Sequence, residues 1–150
     1  MKLFKYSTLN KEEKNLIQKA FDASKHSVTK AGHKVGCAVL CKNDDIFVGA
    51  TNARSRVIGS TCAERMAVDQ LFFNGNRQPV MCAMAGFLKR EKWTKDNICT
   101  PCGVCLEMFW EMLIAFDMQD IEFICSSWNK KRILKAWFTE FYPRAEAVRR

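Results

Sequence analysis

The chain has 150 residues with a formal net charge of +8, and 48% of them are hydrophobic, including eleven Phe and four Trp. This length fits one compact domain spanning 1–150, and the apolar content is too high for a disordered tail or a charged linker. The longest apolar stretch, Met108 to Met118, is interrupted by Glu111 and Asp117 and is shorter than the roughly 20 residues that span a bilayer. The chain also starts without the apolar segment of a secretory signal. We therefore expect a soluble cytoplasmic protein with no membrane partner.

The basic balance raises the question of a nucleic-acid partner. However, the cations are spread along the chain and form only short runs at Lys130–Arg132 and Arg149–Arg150. A solvated surface that attracts anionic substrates explains this distribution at least as well. We expect a small-molecule partner rather than a nucleic acid.

The first part of the chain predicts a helix followed by a hairpin. Asn10 is a good N-cap, and the apolar residues from Leu16 to Ala23 follow helical spacing. Two apolar runs then predict strands at Val35–Leu40 and Ile46–Ala50. The polar segment Asn43–Asp45 predicts the turn that joins them.

The remaining chain alternates helices with strands. The predicted elements are a loop over 51–61, a helix over Cys62–Phe73, a strand over Val80–Leu88, a loop over Lys89–Thr100, a helix from Pro101 to about Asp117 and a strand over Ile121–Ser126. The apolar tail Ile133–Phe141 fits either type of element. This alternation predicts an α/β fold, a three-layer α/β/α sandwich with a mixed, mostly parallel sheet.

The eight cysteines of the chain need a chemical explanation. Disulfides are disfavoured in reducing compartments, so clustered cysteines there indicate metal binding or catalysis. Four of the eight lie inside apolar, strand-like runs, and we expect them to be small buried hydrophobic side chains. These four are Cys37, Cys41, Cys82 and Cys125.

The other clustered cysteines fall in two segments, each at the predicted start of a helix. Thr61–Arg65 reads Thr-Cys-Ala-Glu-Arg, and Pro101–Cys105 reads Pro-Cys-Gly-Val-Cys. Cysteines three residues apart on a first turn point the same way, so Cys102 and Cys105 can share one metal ion with Cys62. Three protein ligands leave the fourth position of Zn²⁺ open for water, as in catalytic zinc sites.

The net charge of such a site explains why a base is needed beside it. Three thiolates on Zn²⁺ leave a negative site, which makes bound water less acidic. Two helix N-termini, each worth about 0.3–1 kcal/mol, and the neighbouring Arg65 act in the opposite direction. Glu64 lies two residues after Cys62, so it can reach the water without being a ligand.

Cys99 leaves a structural alternative open, because it forms a second C-x₂-C pair with Cys102. A closed site of four cysteines would be structural rather than catalytic. Against this reading, Cys99 precedes Pro101 in a predicted loop, and Glu64 would then have no role.

The Cys-Ala-Glu-Arg at 62–65, followed about 40 residues later by Pro-Cys-Gly-x-Cys at 101–105, resembles the small homotetrameric cytidine deaminases. Val35–Val39 is similar to the first strand of that family, and Phe138–Pro143 to its terminal segment. The wider superfamily also uses an H-x-E form, but neither histidine of this chain is followed two residues later by Glu. The three-cysteine form is typical of the free-nucleoside and blasticidin-type branches, which favours a small-molecule substrate.

The resemblance implies a cytidine deaminase-like fold and a homotetramer, with a dimer as the alternative assembly. It also implies that Zn²⁺ is held by Cys62, Cys102 and Cys105.

The same resemblance implies roles for four neighbouring residues. Glu64 would take a proton from the attacking water and deliver protons to the ring nitrogen and to the amine, which leaves as ammonia. Arg65 would relieve the thiolate charge. The backbone at Ala63 and Thr100 would line the base pocket.

The departures from the family pattern concern the substrate. The family usually grips the ribose with an Asn and a Glu, but an ungapped alignment from Cys62 places Thr51 and Ala53 at those positions. A hydrogen bond to a charged group is worth about 1.5–3 kcal/mol, so loss of the Glu costs roughly ten- to a hundredfold in affinity. His33 stands where the family commonly has a Phe beside the pyrimidine. Histidine is nearer the blasticidin-type pattern, and a surface loop histidine is the alternative.

Arg54 and Arg56 lie in the loop that leads to the predicted site. They are either solvated loop arginines or contacts for a carboxylate or phosphate on a non-standard substrate, which Arg binds well through bidentate pairs.

We therefore expect a zinc-dependent hydrolase that deaminates a cytosine-type amino group on a small nucleoside or nucleoside analogue, with cytidine or deoxycytidine as the default substrate. The alternatives are a specialised deaminase of a modified nucleoside, similar to blasticidin S deaminase, and, from a different class, a nucleic-acid-binding or editing protein.

Overall fold

The computed structural model describes residues 1–54, 59–76 and 78–142. In chain order, the strands and helices are β1 (Lys2–Phe4), α1 (Lys11–Ser24), β2 (Lys34–Cys41), β3 (Ile46–Ala50), α2 (Ala63–Phe73), β4 (Pro79–Phe87), α3 (Gly103–Ala115), β5 (Glu122–Ser126), β6 (Ile133–Trp137) and α4 (Phe138–Phe141).

The helix starts follow their local sequence signals. The Asn10 side chain accepts a hydrogen bond from the Glu13 backbone N–H, and the Glu13 carboxylate accepts one from the Asn10 N–H, so α1 opens with a capping box. The N-cap positions of α2 and α3 are Cys62 and Cys102. Pro101 therefore lies before α3 rather than in its first turn, and the helix starts two residues later than predicted.

Within the described residues, one sheet has the strand order β1-β6-β5-β4-β2-β3. The expected mixed sheet is confirmed, but the expectation of mostly parallel pairing is wrong. Among these neighbours only β4 and β5 are parallel, and the other four pairs are antiparallel. The physical reason is that β2 inserts between β3 and β4, which run in the same direction, so these two strands do not pair although α2 connects them. The predicted ambiguous tail forms β6 and α4, and β6 pairs antiparallel with the unpredicted β1.

Helices cover both faces of the sheet, which confirms the three-layer arrangement. One apolar core lies between the sheet and α1, and it includes Leu16, Ala38 and Ile124. The other lies on the opposite face, where Ala67 of α2 and Phe109 of α3 pack against the sheet. The four cysteines predicted to be buried lie in the second core, and all four are at most 1% exposed: Cys37, Cys41, Cys82 and Cys125.

Two strand glycines allow helices to approach the sheet closely. A Cβ on Gly36 would lie 2.0 Å from the Ala20 carbonyl oxygen of α1. A Cβ on Gly49 would lie 2.1 Å from the Ala63 carbonyl oxygen in the first turn of α2. The second contact sets the position of the segment that follows Cys62. Across residues 1–54, 59–76 and 78–142, no helix combines the length and apolarity that crossing a membrane requires.

Candidate functional site

The two cysteine segments meet at one edge of the sheet because of the strand directions. β2 is antiparallel to both β3 and β4, so its first residue, Lys34, lies beside the ends of its two neighbours. Lys34 pairs with Phe87, the last residue of β4, and Gly36 pairs with Ala50, the last residue of β3. Each of β3 and β4 then leads to a helix whose N-terminus returns to this edge.

Three thiols gather between these helix N-termini. The Sγ atoms of Cys62 and Cys102 are 3.7 Å apart, those of Cys102 and Cys105 are 3.4 Å apart, and all three lie within 4.8 Å of one another. Zinc–sulfur bonds of about 2.3 Å in a tetrahedron place sulfurs roughly 3.8 Å apart, so the cluster fits a zinc ion with little movement. Cys105 is buried, whereas Cys102 is exposed, which leaves one side of the cluster open to solvent.

The charge environment favours thiolate at this cluster. The hydrogen bond from the Cys105 thiol lowers the pKa of Cys62 to about 6, although burial opposes this, and the positive charge of Arg65 contributes in the same direction. The same hydrogen bond, together with burial, raises the pKa of Cys105. Helix N-termini add further stabilisation of anions. A metal cation bound here would therefore displace a proton from the Cys105 thiol.

Glu64 is buried directly beside the thiols. Its side chain is only 3% exposed, and its carboxylate accepts hydrogen bonds from its own N–H, from the Cys105 thiol and from the Cys102 N–H. Burial raises the pKa of Glu64 to about 7, and the neighbouring Cys62 thiolate also raises it. A carboxyl group with this pKa can both accept and release a proton near neutral pH, which suits acid–base chemistry.

Arg65 forms a hydrogen bond with the loop that precedes Cys62. Its Nη2 donates to the Ser60 carbonyl oxygen at 2.5 Å, and Thr61 is tied in turn to Asn52 by two backbone hydrogen bonds of 2.9 and 3.0 Å. The contact with Ser60 could not be predicted from the sequence, because any residue at that position supplies the same backbone carbonyl.

Cys99 does not join the metal-binding group. Its thiol is buried against β4, where a Cβ on Gly86 would lie 2.8 Å from its Sγ. Burial raises the pKa of Cys99 to about 12, which keeps the thiol protonated and unreactive. Over the described residues, the closed four-cysteine alternative is wrong, because the side chain packs into the core instead of facing the cluster.

The residues predicted to contact substrate lie around the same edge. Thr51 follows β3, and its backbone bonds to Val35 and Val28, while Ala53 N–H donates to the Val28 carbonyl oxygen at 2.8 Å. Ala63 is fully buried beneath the cluster, and Thr100 is exposed next to Pro101. Their roles in substrate binding stay predictions.

The His33 ring is held by one hydrogen bond, and its place beside the substrate stays a prediction. Its Nδ1 accepts a hydrogen bond from the Lys89 N–H at 2.8 Å. The neutral ring therefore carries its proton on Nε2. The sequence did not reveal Lys89 as the partner, since only the pairing of β2 with β4 brings these two residues together.

Arg54 and Arg56 belong to the loop that precedes the first cysteine segment. The Arg54 N–H donates to the Ser60 Oγ at 2.9 Å, and its side chain is exposed. Arg56 lies outside the described residues, so its predicted role stays a prediction.

The fold is similar to that of solved cytidine deaminases. The enzyme from Burkholderia pseudomallei is 19% identical, with a TM-score of 0.75 over 91% of this chain and 98% of that chain. The enzyme from Mycobacterium leprae is 15% identical, with a TM-score of 0.67 over 90% and 100% of the two chains. The enzyme from Bacillus anthracis is 14% identical, with a TM-score of 0.55 over 95% and 91%. These likenesses confirm the predicted fold.

The sequence of residues 10–120 matches the family model described as the cytidine and deoxycytidylate deaminase zinc-binding region. This match includes both cysteine segments and Glu64, and it defines a zinc-dependent hydrolytic deaminase. The chain belongs to the cytidine and deoxycytidylate deaminase family, and the resemblance seen in its sequence is confirmed. The predicted zinc cofactor is supported by the family's zinc-binding region and by the three-thiol cluster.

Proposed function

We propose that this enzyme deaminates a cytosine-type amino group on a small nucleoside or nucleoside analogue, with Cys62, Cys102 and Cys105 holding zinc and Glu64 moving the protons. The observation that carries the proposal is the buried Glu64 carboxylate, which is hydrogen-bonded to the Cys105 thiol and the Cys102 N–H. In a catalytic zinc site with an open position, this carboxylate lies where it can exchange protons with bound water.

The chemistry divides between the metal and the protein. Zinc, when bound, supplies Lewis-acid activation of water. Glu64 takes a proton from the attacking water and delivers it to the ring nitrogen beside the amino-bearing carbon. It then takes the remaining proton from the new hydroxyl group and transfers it to the leaving amine as the carbonyl forms, so a C–O bond forms, a C–N bond breaks, and one water is consumed for each ammonia released.

The surroundings of Glu64 prepare it for both directions of transfer. Burial raises its pKa to about 7, which brings the protonated and ionised forms close in free energy at neutral pH. The N–H of Cys102 and its own N–H hold the carboxylate in place, so it does not have to be ordered during the reaction.

The test is a comparison of Glu64→Gln with Glu111→Gln, which changes an exposed carboxylate on α3. Glu64→Gln should keep one zinc per chain but lower ammonia release from cytidine by roughly 10²–10⁴-fold or more. Glu111→Gln should keep both. Turnover retained in Glu64→Gln would refute the role of this carboxylate.

A specialised substrate is the second candidate, and Thr51 and Ala53 are the observation that favours it. They occupy the positions at which the family resemblance predicts Asn and Glu for the ribose. Both flank Asn52, whose backbone pairs with Thr61, the residue before Cys62, and a methyl group at Ala53 offers no hydrogen bond to a hydroxyl. Arg54 nearby offers a positive charge to an anionic substituent.

A substrate panel separates the two candidates. Cytidine, deoxycytidine, cytosine, cytidine monophosphate and blasticidin S would be compared by kcat/KM with zinc-loaded enzyme. A strong preference for plain cytidine would exclude the specialised version. A preference of more than about tenfold for cytidine monophosphate that disappears in Arg54→Gln would assign that arginine to substrate recognition.

We also propose a homotetramer that works in the cytoplasm. In support of the assembly, α3 exposes the apolar side chains of Val104 (62%) and Ile114 (41%), which contact with a neighbouring subunit would remove from water. The eight cysteines, all within the described segments, are free thiols, as expected in a reducing compartment. Light scattering of the purified protein tests the assembly, and a monomer at micromolar concentration would exclude it.

A further inference from the structure

Positive charges from two segments that are far apart in the sequence lie close together in the folded protein. Residues 1–34 hold eight Lys against three acidic residues, a net of +5, and residues 127–142 hold four Lys and Arg against one Glu, a net of +3. Residues 35–126, which include the thiol cluster, hold nine cations against eleven acids, a net of −2. The two positive segments are neighbours, because β1 pairs with β6 and the Lys130 Nζ donates to Gln18 of α1 at 2.7 Å.

The centre of this surface is a pair of lysines over one aromatic ring. The Nζ of Lys14 lies 5.9 Å from the ring centroid of Tyr6, and the Nζ of Lys130 lies 5.4 Å from it. The two ammonium groups are therefore no more than about 11 Å apart. Lys130 also lies over the Phe21 ring and has a left-handed backbone, with φ of 59°.

Neither ammonium group forms a salt bridge among the described residues, and the carboxylates of Asp22 and Glu13 act on Lys130 and Lys14 only through weaker charge interactions. Lys130 bonds to the neutral Gln18 Oε1, and Lys14 bonds to the Ser7 carbonyl oxygen at 3.4 Å. By contrast, Lys135 on β6 is paired with Glu13. Two neighbouring cations held by neutral acceptors repel each other, and a bound anion would remove that repulsion.

Further cations extend the surface on both sides of this pair. Lys11 and Lys19 are exposed on α1, about 12 Å apart along the helix axis. Lys131 and Arg132 are exposed in the turn between β5 and β6. We call these four residues, with Lys14 and Lys130, the basic face.

We propose that the basic face binds the phosphate backbone of a nucleic acid, with Lys14 and Lys130 at the centre of the contact. A row of cations over this length matches several successive phosphates, which are spaced about 3.4 Å apart along one strand of a duplex. The proposal concerns a surface distinct from the thiol cluster and does not depend on which nucleoside the enzyme deaminates.

An anionic membrane is the other polyanion to consider, and the apolar residues of β1 argue against it. The Lys135 Nζ, which is bonded to Glu13 of α1, lies over the Phe4 ring, so Phe4 faces α1. Leu3 is 60% exposed and is the neighbouring residue of the strand, so it faces the opposite side. On this side β1 presents the Phe4 ring, which is 37% exposed and lies under the Lys135 ammonium group, whereas Leu3, the more exposed apolar side chain, points away from the basic face.

The test measures binding of zinc-loaded protein by fluorescence anisotropy, from low to physiological salt. The ligands are a labelled single-stranded RNA of about 20 nucleotides and the single-stranded DNA of the same sequence. The variant Lys14→Gln with Lys130→Gln should weaken binding about tenfold or more and reduce the slope of log K against log salt by about 1.4, or about 0.7 for each lost phosphate contact. The control is Lys42→Gln with Lys92→Gln, which removes the same charge elsewhere and again changes one lysine with a left-handed backbone. A second variant, Lys11→Gln with Lys19→Gln, should weaken binding in the same direction and covers the case in which the first is poorly folded.

Several results would overturn the proposal. Failure of the wild-type protein to bind either strand at low salt is one such result, and a control variant that weakens binding as much as the test variant is another. Binding to phosphatidylserine vesicles that the oligonucleotide does not compete for would assign the face to lipid instead. Because deamination of a free nucleoside should be unchanged in all these variants, failure here is distinguishable from failure of the proposed function.

Discussion

Gly49→Ala tests whether the close approach of α2 to β3 builds the metal site. The added Cβ would lie 2.1 Å from the Ala63 carbonyl oxygen and 2.6 Å from the Ala67 nitrogen, both backbone atoms that cannot rotate away. Restoring an ordinary contact requires α2 to move by about 1 Å. Overpacking of this kind costs typically about 1–3 kcal/mol, which lowers Tm by roughly 3–10 °C in a chain of this length.

The same movement should weaken zinc binding, because Cys62 directly precedes the displaced Ala63. Its sulfur would leave the position 3.7 Å from that of Cys102, and loss of ligand support costs about 10–100-fold in metal affinity. The measurements are Tm by calorimetry and zinc affinity by competition with a chelating dye.

Two control variants separate the site effect from general destabilisation. Gly36→Ala meets the Ala20 carbonyl oxygen at 2.0 Å but presses on α1, on the other face of the sheet, so it should lower Tm while zinc affinity is retained. Gly103→Ala, at the start of α3, meets nothing within 4 Å and should change neither property. Equal zinc affinity in Gly49→Ala and Gly36→Ala would refute the reasoning.

Three further predictions follow from buried groups. In metal-free protein, Glu64→Gln should raise the free energy of unfolding at pH 8 by about 3 kcal/mol, because the folded-state pKa of Glu64 is raised from 4.5 to about 7 and the buried carboxylate is ionised above that range. The stability of the wild-type protein should therefore fall as pH rises from about 4.5 to 7. Denaturant titrations that show no such slope would contradict this. Cys99→Ala should keep one zinc per chain by elemental analysis, whereas Cys102→Ala should lose it; a loss in both would restore the four-cysteine site. Lys135→Met should destabilise the protein by about 2 kcal/mol because Glu13 loses its partner, and an unchanged urea midpoint would contradict this.

The opposed pKa shifts at the thiol cluster need a separate control for the pH prediction. The pKa of Cys62 is lowered and that of Cys105 is raised, and the hydrogen bond between the two thiols is the largest cause of both shifts. The lowered pKa adds stability as pH rises above about 6, and the raised one removes stability at higher pH. The difference between wild type and Glu64→Gln isolates the carboxylate, because both proteins keep the two thiols.

The sequence alone was enough to predict which residues form the candidate metal site and its neighbouring base. Two cysteine segments at helix starts and a carboxylate two residues after Cys62 are local patterns, and helix geometry converts such patterns directly into neighbouring side chains. The burial of the strand cysteines was also predictable from a local pattern, because they lie within runs of apolar residues that are typical of a core.

Only the tertiary structure decided how distant segments are arranged. The insertion of β2 between β3 and β4 makes the sheet mostly antiparallel, and sequence order does not specify which strands are neighbours. Packing against Gly86 removes Cys99 from the metal cluster, and the pairing of β2 with β4 gives His33 its backbone partner. The same packing brings Lys14 and Lys130, which are far apart in the chain, over one ring. In each case the deciding contact joins residues remote in sequence, and such contacts follow from the fold rather than from local residue patterns.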